Sequence, residues 1–144
     1  MLQKRFIAVD YGQRRIGIAV SDPLNIIARG VETLINDKNF IDKFSSLITE
    51  FDPRAIILGM PYMPSGDLGD RANEVITFSE MLKAKFNLPV ILWDERYTSK
   101  MAVEIMVSTG RKKKERAKKE NIDRIAAAIL LQDFLDSGAA KDGL

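Results

Sequence analysis

Two short apolar runs, "RAIILGMP" at 54–61 and "LPVILWDE" at 88–95, flank a helix-length stretch at 69–86. Within that stretch Ala72, Val75, Ile76, Phe78, Ser79 and Leu82 recur at helical spacing. A strand, a helix and a strand in that order leave few folding options. Parallel strands need a crossover of about a dozen residues or more, and a helix is the usual one. Both runs therefore read as buried parallel strands, the first ended by Gly59 and Pro61, the second ending in acid.

Upstream, residues 4–10 and 14–21 read as two more strands, joined by a tight turn containing Gly12 and so forming an antiparallel hairpin. "ARGVETL", 28–34, is a third, with Val31 and Thr33 alternating against Arg29 and Glu32. Residues 38–51 switch to helical spacing, with Phe40, Ile41, Phe44, Leu47 and Ile48 on one face. Asp52-Pro53 stops that helix, because proline disfavours helical geometry in the residue before it. Helices over 98–108 and 120–136 flank a basic segment and complete the chain. The pattern is an α/β fold with a mixed sheet, in a single domain over 1–144 with no repeats and no low-complexity linker.

In open sheets of this kind, sites lie beyond the carboxyl ends of the strands. Asp10, closing "FIAVD", and Asp94-Glu95 both fall there, more than eighty residues apart in sequence. Which chemistry such acids perform is narrowed by what the chain lacks. It has no cysteine and no histidine, which removes thiolate and imidazole metal sites and every Ser-His or Cys-His mechanism. What remains is carboxylate, lysine, tyrosine or hydroxyl chemistry, or a hard metal held by oxygens.

A third acid stands in "ENIDRIAAAILLQDFL". Ile122, Ile125, Ala126, Ile129 and Leu130 mark the face of a helix that packs on the sheet, and Asp123 adjoins that face in the expected first turn. Each acid has a structural role open to it: Asp123 at a helix dipole, Asp10 on turn amides, Glu95 paired with Arg96. Taken together they would repel unless cations neutralise them, and Mg²⁺ or Mn²⁺ takes carboxylate oxygens while keeping waters for a substrate phosphate. Two such ions suit phosphodiester cleavage, a mechanism that needs neither histidine nor cysteine.

The net charge of +2 hides an asymmetry. "RKKKERAKK", 111–119, carries +6, so the rest of the chain carries −4. Lys112, Lys113 and Lys114 suit a polyanion partner, where the plain alternative is a solvated loop or outer helix face. Arg15 and Arg96, beside Asp10 and Glu95, suit bidentate contact with phosphate, or else salt bridges with those same acids. Tyr62 and Tyr97 lie in candidate site loops, where stacking on bases competes with ordinary packing. Asp22, before Pro23, reads as a turn former.

"AVDYGQRRIGIAVSD", "ILGMPYMPSGDLGDRANEV", "LWDERYTS" and "IDRIAAAILLQDFL" resemble, in order and spacing, the blocks of the YqgF/RuvX family, over nearly the whole chain. That family is described both as Holliday-junction resolvases of the RNase H-like fold and as nucleases maturing the 5′ end of small-subunit ribosomal RNA. The resemblance implies that Asp10, Glu95 and Asp123 form the acidic metal-binding and catalytic triad. It also implies a five-stranded sheet in the order 3-2-1-4-5, its first three strands antiparallel. Pleat alternation points Asp94 and Glu95 to opposite faces without saying which joins the site, and Glu95 is chosen on the resemblance. Departures at Tyr11, Gln13, Met60, Met63, Pro64 and Tyr97 leave every carboxylate in place.

The expectation is a Mg²⁺- or Mn²⁺-dependent nuclease, a cytoplasmic hydrolase with no membrane span. It is expected to act as a monomer or weak homodimer on a ribosomal RNA precursor, with a four-way DNA junction as the alternative substrate. Two rivals stand beside it. One is a non-catalytic nucleic-acid-binding module; the other is a phosphate-binding lobe like that of actin-like ATPases, which needs a second lobe that this length does not supply.

Overall fold

The computed structural model describes residues 4–62, 65, 69–95 and 119–141 of the 144. The strands are β1 (Phe6–Asp10), β2 (Arg15–Ser21), β3 (Ala28–Ile35), β4 (Ala55–Met60) and β5 (Val90–Asp94). The helices described are α1 (Phe40–Phe51), α2 (Asp70–Phe86) and α3 (Lys119–Asp136), followed by a short 3₁₀ turn, Ala139–Lys141. The expected helix at 98–108 lies outside the described residues, as does most of the basic segment.

One sheet holds all five strands in the order β3-β2-β1-β4-β5. β1 pairs antiparallel with β2, and β2 antiparallel with β3. β4 runs parallel to β1, and β5 parallel to β4. This is the mixed sheet that the strand–helix–strand spacing requires. The carboxyl ends of β1, β4 and β5 therefore share one edge.

β1 explains why its sequence is apolar throughout: Phe6, Ile7, Ala8 and Val9 are all fully buried, two on each face. Ile7 and Val9 join Ile16, Ile18, Ile56 and Leu58 beneath α1 and α2, where Phe40, Phe44, Val75, Phe78 and Leu82 complete a core. Phe6 and Ala8 face the other way with Ala19, Ala55 and Ile57, against Ala127, Leu130, Leu131 and Phe134 of α3. Side chains alternate faces along a strand, so a sheet covered on both sides needs such continuous runs.

The α3 face is lined with small residues, and that sets how close the helix comes. A Cβ on Gly17 of β2 would collide with the Asp123 backbone carbonyl, and one on Gly30 of β3 would lie 2.9 Å from the Arg124 carbonyl. α3 thus crosses β2 and β3 almost backbone to backbone at its Asp123–Arg124 turn.

Helix ends follow local chemistry. α1 ends at Phe51, and Asp52 takes a left-handed conformation (φ 43°), its N–H donating to the Ile48 carbonyl. Asn87 (φ 52°) ends α2 in the same way on Lys83. Asp22 is the turn former expected of it: its Oδ1 accepts the N–H groups of Ile26 and Ile27 at 2.7 and 2.9 Å, which holds its carboxyl below the usual range.

Three boundaries differ from the sequence expectation. β4 runs through Gly59 to Met60 instead of stopping at the glycine. β5 ends at Asp94, one residue before Glu95. α3 starts at Lys119, so Asp123 sits one turn inside the helix and not in its first turn. The dipole at a helix start falls off within that turn, which removes it as the reason for an acid here. Among the described residues no helix is long and apolar enough to cross a membrane.

Candidate active site

Asp10 is the last residue of β1, and Glu95 follows directly on β5, with β4 between the two strands. Parity along the strands decides which acid of the Asp94-Glu95 pair meets Asp10. Phe6 and Ala8 belong to the α3 face, so Asp10 does too; Ile91 and Trp93 lie on that same face, and Glu95 follows their parity. Asp94 falls on the opposite face and is exposed. The Glu95 N–H donates to the Met60 carbonyl at 3.1 Å, fixing the chain as it leaves the sheet.

Between the two acids lies Gly59. A Cβ there would run into the Glu95 carboxylate and come within 3.2 Å of Leu130. This glycine, read from sequence as a strand end, is instead the gap across which Glu95 reaches the β1 side. The two carboxyls meet in a hydrogen bond.

Such a bond requires one proton, and the electrostatics favour keeping it, since both carboxyls are raised. Glu95 is pushed up to about 10, first by desolvation, then by the Asp10 charge and the hydrogen bond to Asp10. Asp10 is also raised by burial, against the lowering effects of the Glu95 hydrogen bond and Arg71. The pair therefore holds one shared proton at neutral pH, in the hydrogen bond between the two carboxyls. Two buried carboxylates in contact do not both ionise unless a cation joins them.

Asp123 reaches the same region from α3, over Gly17, which is the register partner of Asp10 on β2. Its charge is close enough to raise Asp10. Its Oδ2, however, accepts from Arg15 Nε at 3.0 Å, both side chains being about one quarter exposed. Of the two roles open to Arg15, the structure displays the ion pair. No group of three acidic side chains among the described residues is close enough to hold a metal ion. The donor set is nonetheless of the hard-cation kind: all carboxylate oxygen, with one buried pair whose mutual repulsion a divalent ion would relieve. Asp10 and Glu95 fit such an ion as they stand, and Asp123 would complete the set by releasing Arg15.

A cleft of about 590 Å³ opens beside the acids, lined by Asp10, Asp123, turn residues 11–15 and the first turns of α2. Its walls are tied together. Gln13 Nε2 donates to Glu74 at 3.1 Å, and an Arg71 terminal nitrogen donates to the Tyr11 carbonyl at 3.0 Å. Tyr11 itself packs on Phe78, ring centroids 4.6 Å apart, and Tyr62 packs against the same core. Both rings are packed against this core. Arg96, Tyr97, Lys112, Lys113 and Lys114 lie outside the described residues.

Two cleft arginines escaped the sequence reading. Arg71 lowers both Asp10 and Glu95 electrostatically, and Arg14 lines the cleft from the turn. The signal for Arg71 was its place: the helix after β4 must start at the strand's carboxyl end, the site edge. Arg14 and Arg15 are adjacent, and sequence alone does not say which one folds back onto an acid.

Comparisons with known proteins agree with this fold. Among solved structures, T. thermophilus RuvC bound to a Holliday junction matches with a TM-score of 0.59 at 13% identity, covering 96% of this chain and 97% of that one. The Fowlpox virus resolvase bound to Holliday junction DNA matches with a TM-score of 0.58 at 15% identity, over 92% and 97%. At such identities the likeness speaks for the fold. A protein of Listeria monocytogenes named "Putative pre-16S rRNA nuclease" is 36% identical over 137 residues, 92% of this chain and 98% of its own length. One of the same name from Desulforamulus reducens is 37% identical over 141 residues, 94% and 98%. The family model for RuvX, described as a Holliday junction resolvase, matches residues 4–137, and with these relatives it shows that the chain belongs to the RuvX family.

Proposed function

We propose that this protein is a nuclease that hydrolyses phosphodiester bonds in nucleic acid, and that its substrate is the 5′ end of a small-subunit ribosomal RNA precursor. The observation that carries the reading is the proton-sharing Asp10–Glu95 pair at the carboxyl edge of the sheet, opening on a cleft. The precursor follows the name shared by relatives that match nearly end to end, and its 5′ end follows the family resemblance. Asp10 and Glu95 hold a divalent cation, Mg²⁺ or Mn²⁺, in place of their shared proton, and Asp123 joins them as a third oxygen donor.

When bound, such an ion or ion pair supplies Lewis-acid stabilisation and an acidified water. The protein's own part is positional. β1 and β5 fix two carboxylates on one face, Gly59 admits the second, and α3 brings the third over Gly17. Arg15 holds Asp123 at the cleft while no cation is bound, and Arg71 places positive charge beside the pair. Tyr11 and the Gln13–Glu74 bond hold the turn against α2, so that the cleft keeps its shape.

The test offers the purified protein, with Mn²⁺, a small-subunit ribosomal RNA precursor and a four-way DNA junction side by side. Cleavage near the RNA's 5′ end with the junction intact is the expected result. The description of the family model favours a second reading, junction resolution. Paired symmetric nicks in the junction with untouched RNA would establish that reading instead. A resolvase must cut two strands, which calls for a two-fold dimer with two sites, so the mass of the active species in solution separates the readings independently.

A further inference from the structure

The walls of the cleft carry two arginines whose hydrogen-bonding capacity is largely unspent. Arg14 is exposed on the β1–β2 turn, and its side chain makes no hydrogen bond or ion pair among the described residues. Its neighbour Arg15 is consumed by Asp123. Across the cleft, exposed Arg71 gives one N–H to the Tyr11 carbonyl and forms no ion pair among the described residues. A guanidinium carries five N–H donors, so most of Arg71 faces the cleft unused.

The acids around these arginines are mostly occupied. Asp123 is paired with Arg15, Glu74 accepts from Gln13, and Asp10 and Glu95 bind each other. Asp70, exposed at the start of α2, is the remaining carboxylate on the lining. Arg71 favours the charged forms of Asp10 and Glu95 without forming an ion pair with either, and Arg14, lining the same cleft, pairs with no acid among the described residues, so stability takes little from either exposed guanidinium. The arrangement makes sense for a visiting anion. A phosphodiester presents two non-bridging oxygens, the geometry that a guanidinium fork matches.

We propose that Arg71 and Arg14 seat two phosphates of the substrate strand, Arg71 the phosphate lying at the Asp10–Glu95 pair and Arg14 the neighbouring one. The strand then enters the cleft between the β1–β2 turn and the start of α2. Arg71 contacts the group that reacts and belongs to the catalytic residues, whereas Arg14 holds the strand in register. The identity of the anion rests on the nuclease reading; the seat itself does not.

The test measures anisotropy of a short fluorescein-labelled RNA in EDTA against salt concentration, for the parent, Arg14→Gln, Arg71→Gln and Lys85→Gln. Removing one phosphate-binding side chain lowers the magnitude of the salt slope by about 0.7 on a single strand. That decrease is expected for both cleft variants, while Lys85→Gln, at the far end of α2, keeps the parent slope. With Mn²⁺ and a cleavable strand, Arg14→Gln raises KM with kcat nearly kept, and Arg71→Gln lowers kcat by about 10²-fold or more. Arg71→Lys keeps the charge and is expected to restore the slope, which distinguishes a phosphate seat from the structural tie to Tyr11. Parent-like slopes in both Gln variants, at unchanged melting temperature, overturn the proposal. If the parent cleaves no nucleic acid the nuclease reading falls, and the binding slopes still decide the seat.

Discussion

Glu95 shows how one residue links stability, pH and chemistry. Its carboxyl is raised from an ordinary value of 4.5 to about 10, so between those values the native protein keeps a proton that the unfolded chain releases. Stability rises with pH only where the unfolded state binds more protons. Here the native state binds more, and the pair's favourable contribution is complete below about pH 4.5 and is lost as pH rises towards 10. Glu95→Gln keeps a donor for Asp10 and removes that titration. In EDTA the variant should melt higher than the parent at about pH 8, with the gap closing towards about pH 5; parallel melting profiles would contradict the shared proton. The same variant should lose Mn²⁺ affinity, because a neutral amide is a poor ligand for a hard cation. For the same reason Asp10→Asn should keep the fold and nucleic-acid binding but lose most turnover, and wild-type turnover under matched Mn²⁺ would remove Asp10 from the site. Gly59→Ala tests the gap between the acids: the added methyl displaces the Glu95 carboxylate, so turnover should fall towards that of Glu95→Ala. Overpacking against Leu130 should add about 1–3 kcal/mol of destabilisation, read from denaturant melts. That both acids fall at the carboxyl ends of strands was legible in the sequence, although Glu95 follows β5 by one residue and does not close it. That Gly59 connects them was not, because its role depends on a side chain arriving from the neighbouring strand.

At the scale of elements, the positions of the described strands and helices were legible because both covered faces of the sheet write themselves into sequence as continuous apolar runs. β1 and β4 are the clearest cases, each buried along almost its whole length. Less legible was the packing of α3 on the sheet. α3 is apolar on more than one side, so its periodicity marks a buried helix without marking its depth. Depth is set by Gly17 and Gly30 on other elements, and the ion pair that orients Asp123 spans 108 residues of sequence. Gly17→Ala should therefore act on α3 as much as on β2. Its methyl meets a backbone carbonyl, which cannot rotate away as a side chain would, and the helix must lift at Asp123. The expected outcome is destabilisation of about 1–3 kcal/mol together with a fall in turnover. Gly30→Ala, where the nearest carbonyl atom is 2.9 Å from the added Cβ, should cost less of both. Equal effects from the two would mean that α3 shifts as a rigid body instead of yielding at Asp123.

For the whole molecule, affinity and chemistry fall on different parts of the chain. Outside residues 111–119 the protein is net negative, and the cleft adds several acids to that balance. A polyanion approaching the site edge alone would meet a field that resists it. The +6 of the basic segment reverses the overall sign, and a charge block of this kind supplies affinity for phosphate backbone without choosing a sequence. The Asp10–Glu95 pair, by contrast, adds nothing to long-range attraction and acts only on the phosphate beside it. Changing Lys112, Lys113 and Lys114 together to Gln should therefore weaken binding to RNA and duplex DNA alike. On duplex DNA the magnitude of the salt slope should fall by about two to three units if all three lysines touch phosphates. At saturating substrate kcat should stay near the parent value, so the defect appears in KM and deepens as salt is raised. Cleft variants should show the reverse, with kcat falling while the slope drops by that of a single phosphate for Arg71→Gln and stays at the parent value for Asp10→Asn. A triple variant with an unchanged slope would reduce the basic segment to a solubilising stretch and leave the cleft arginines to draw the strand in alone.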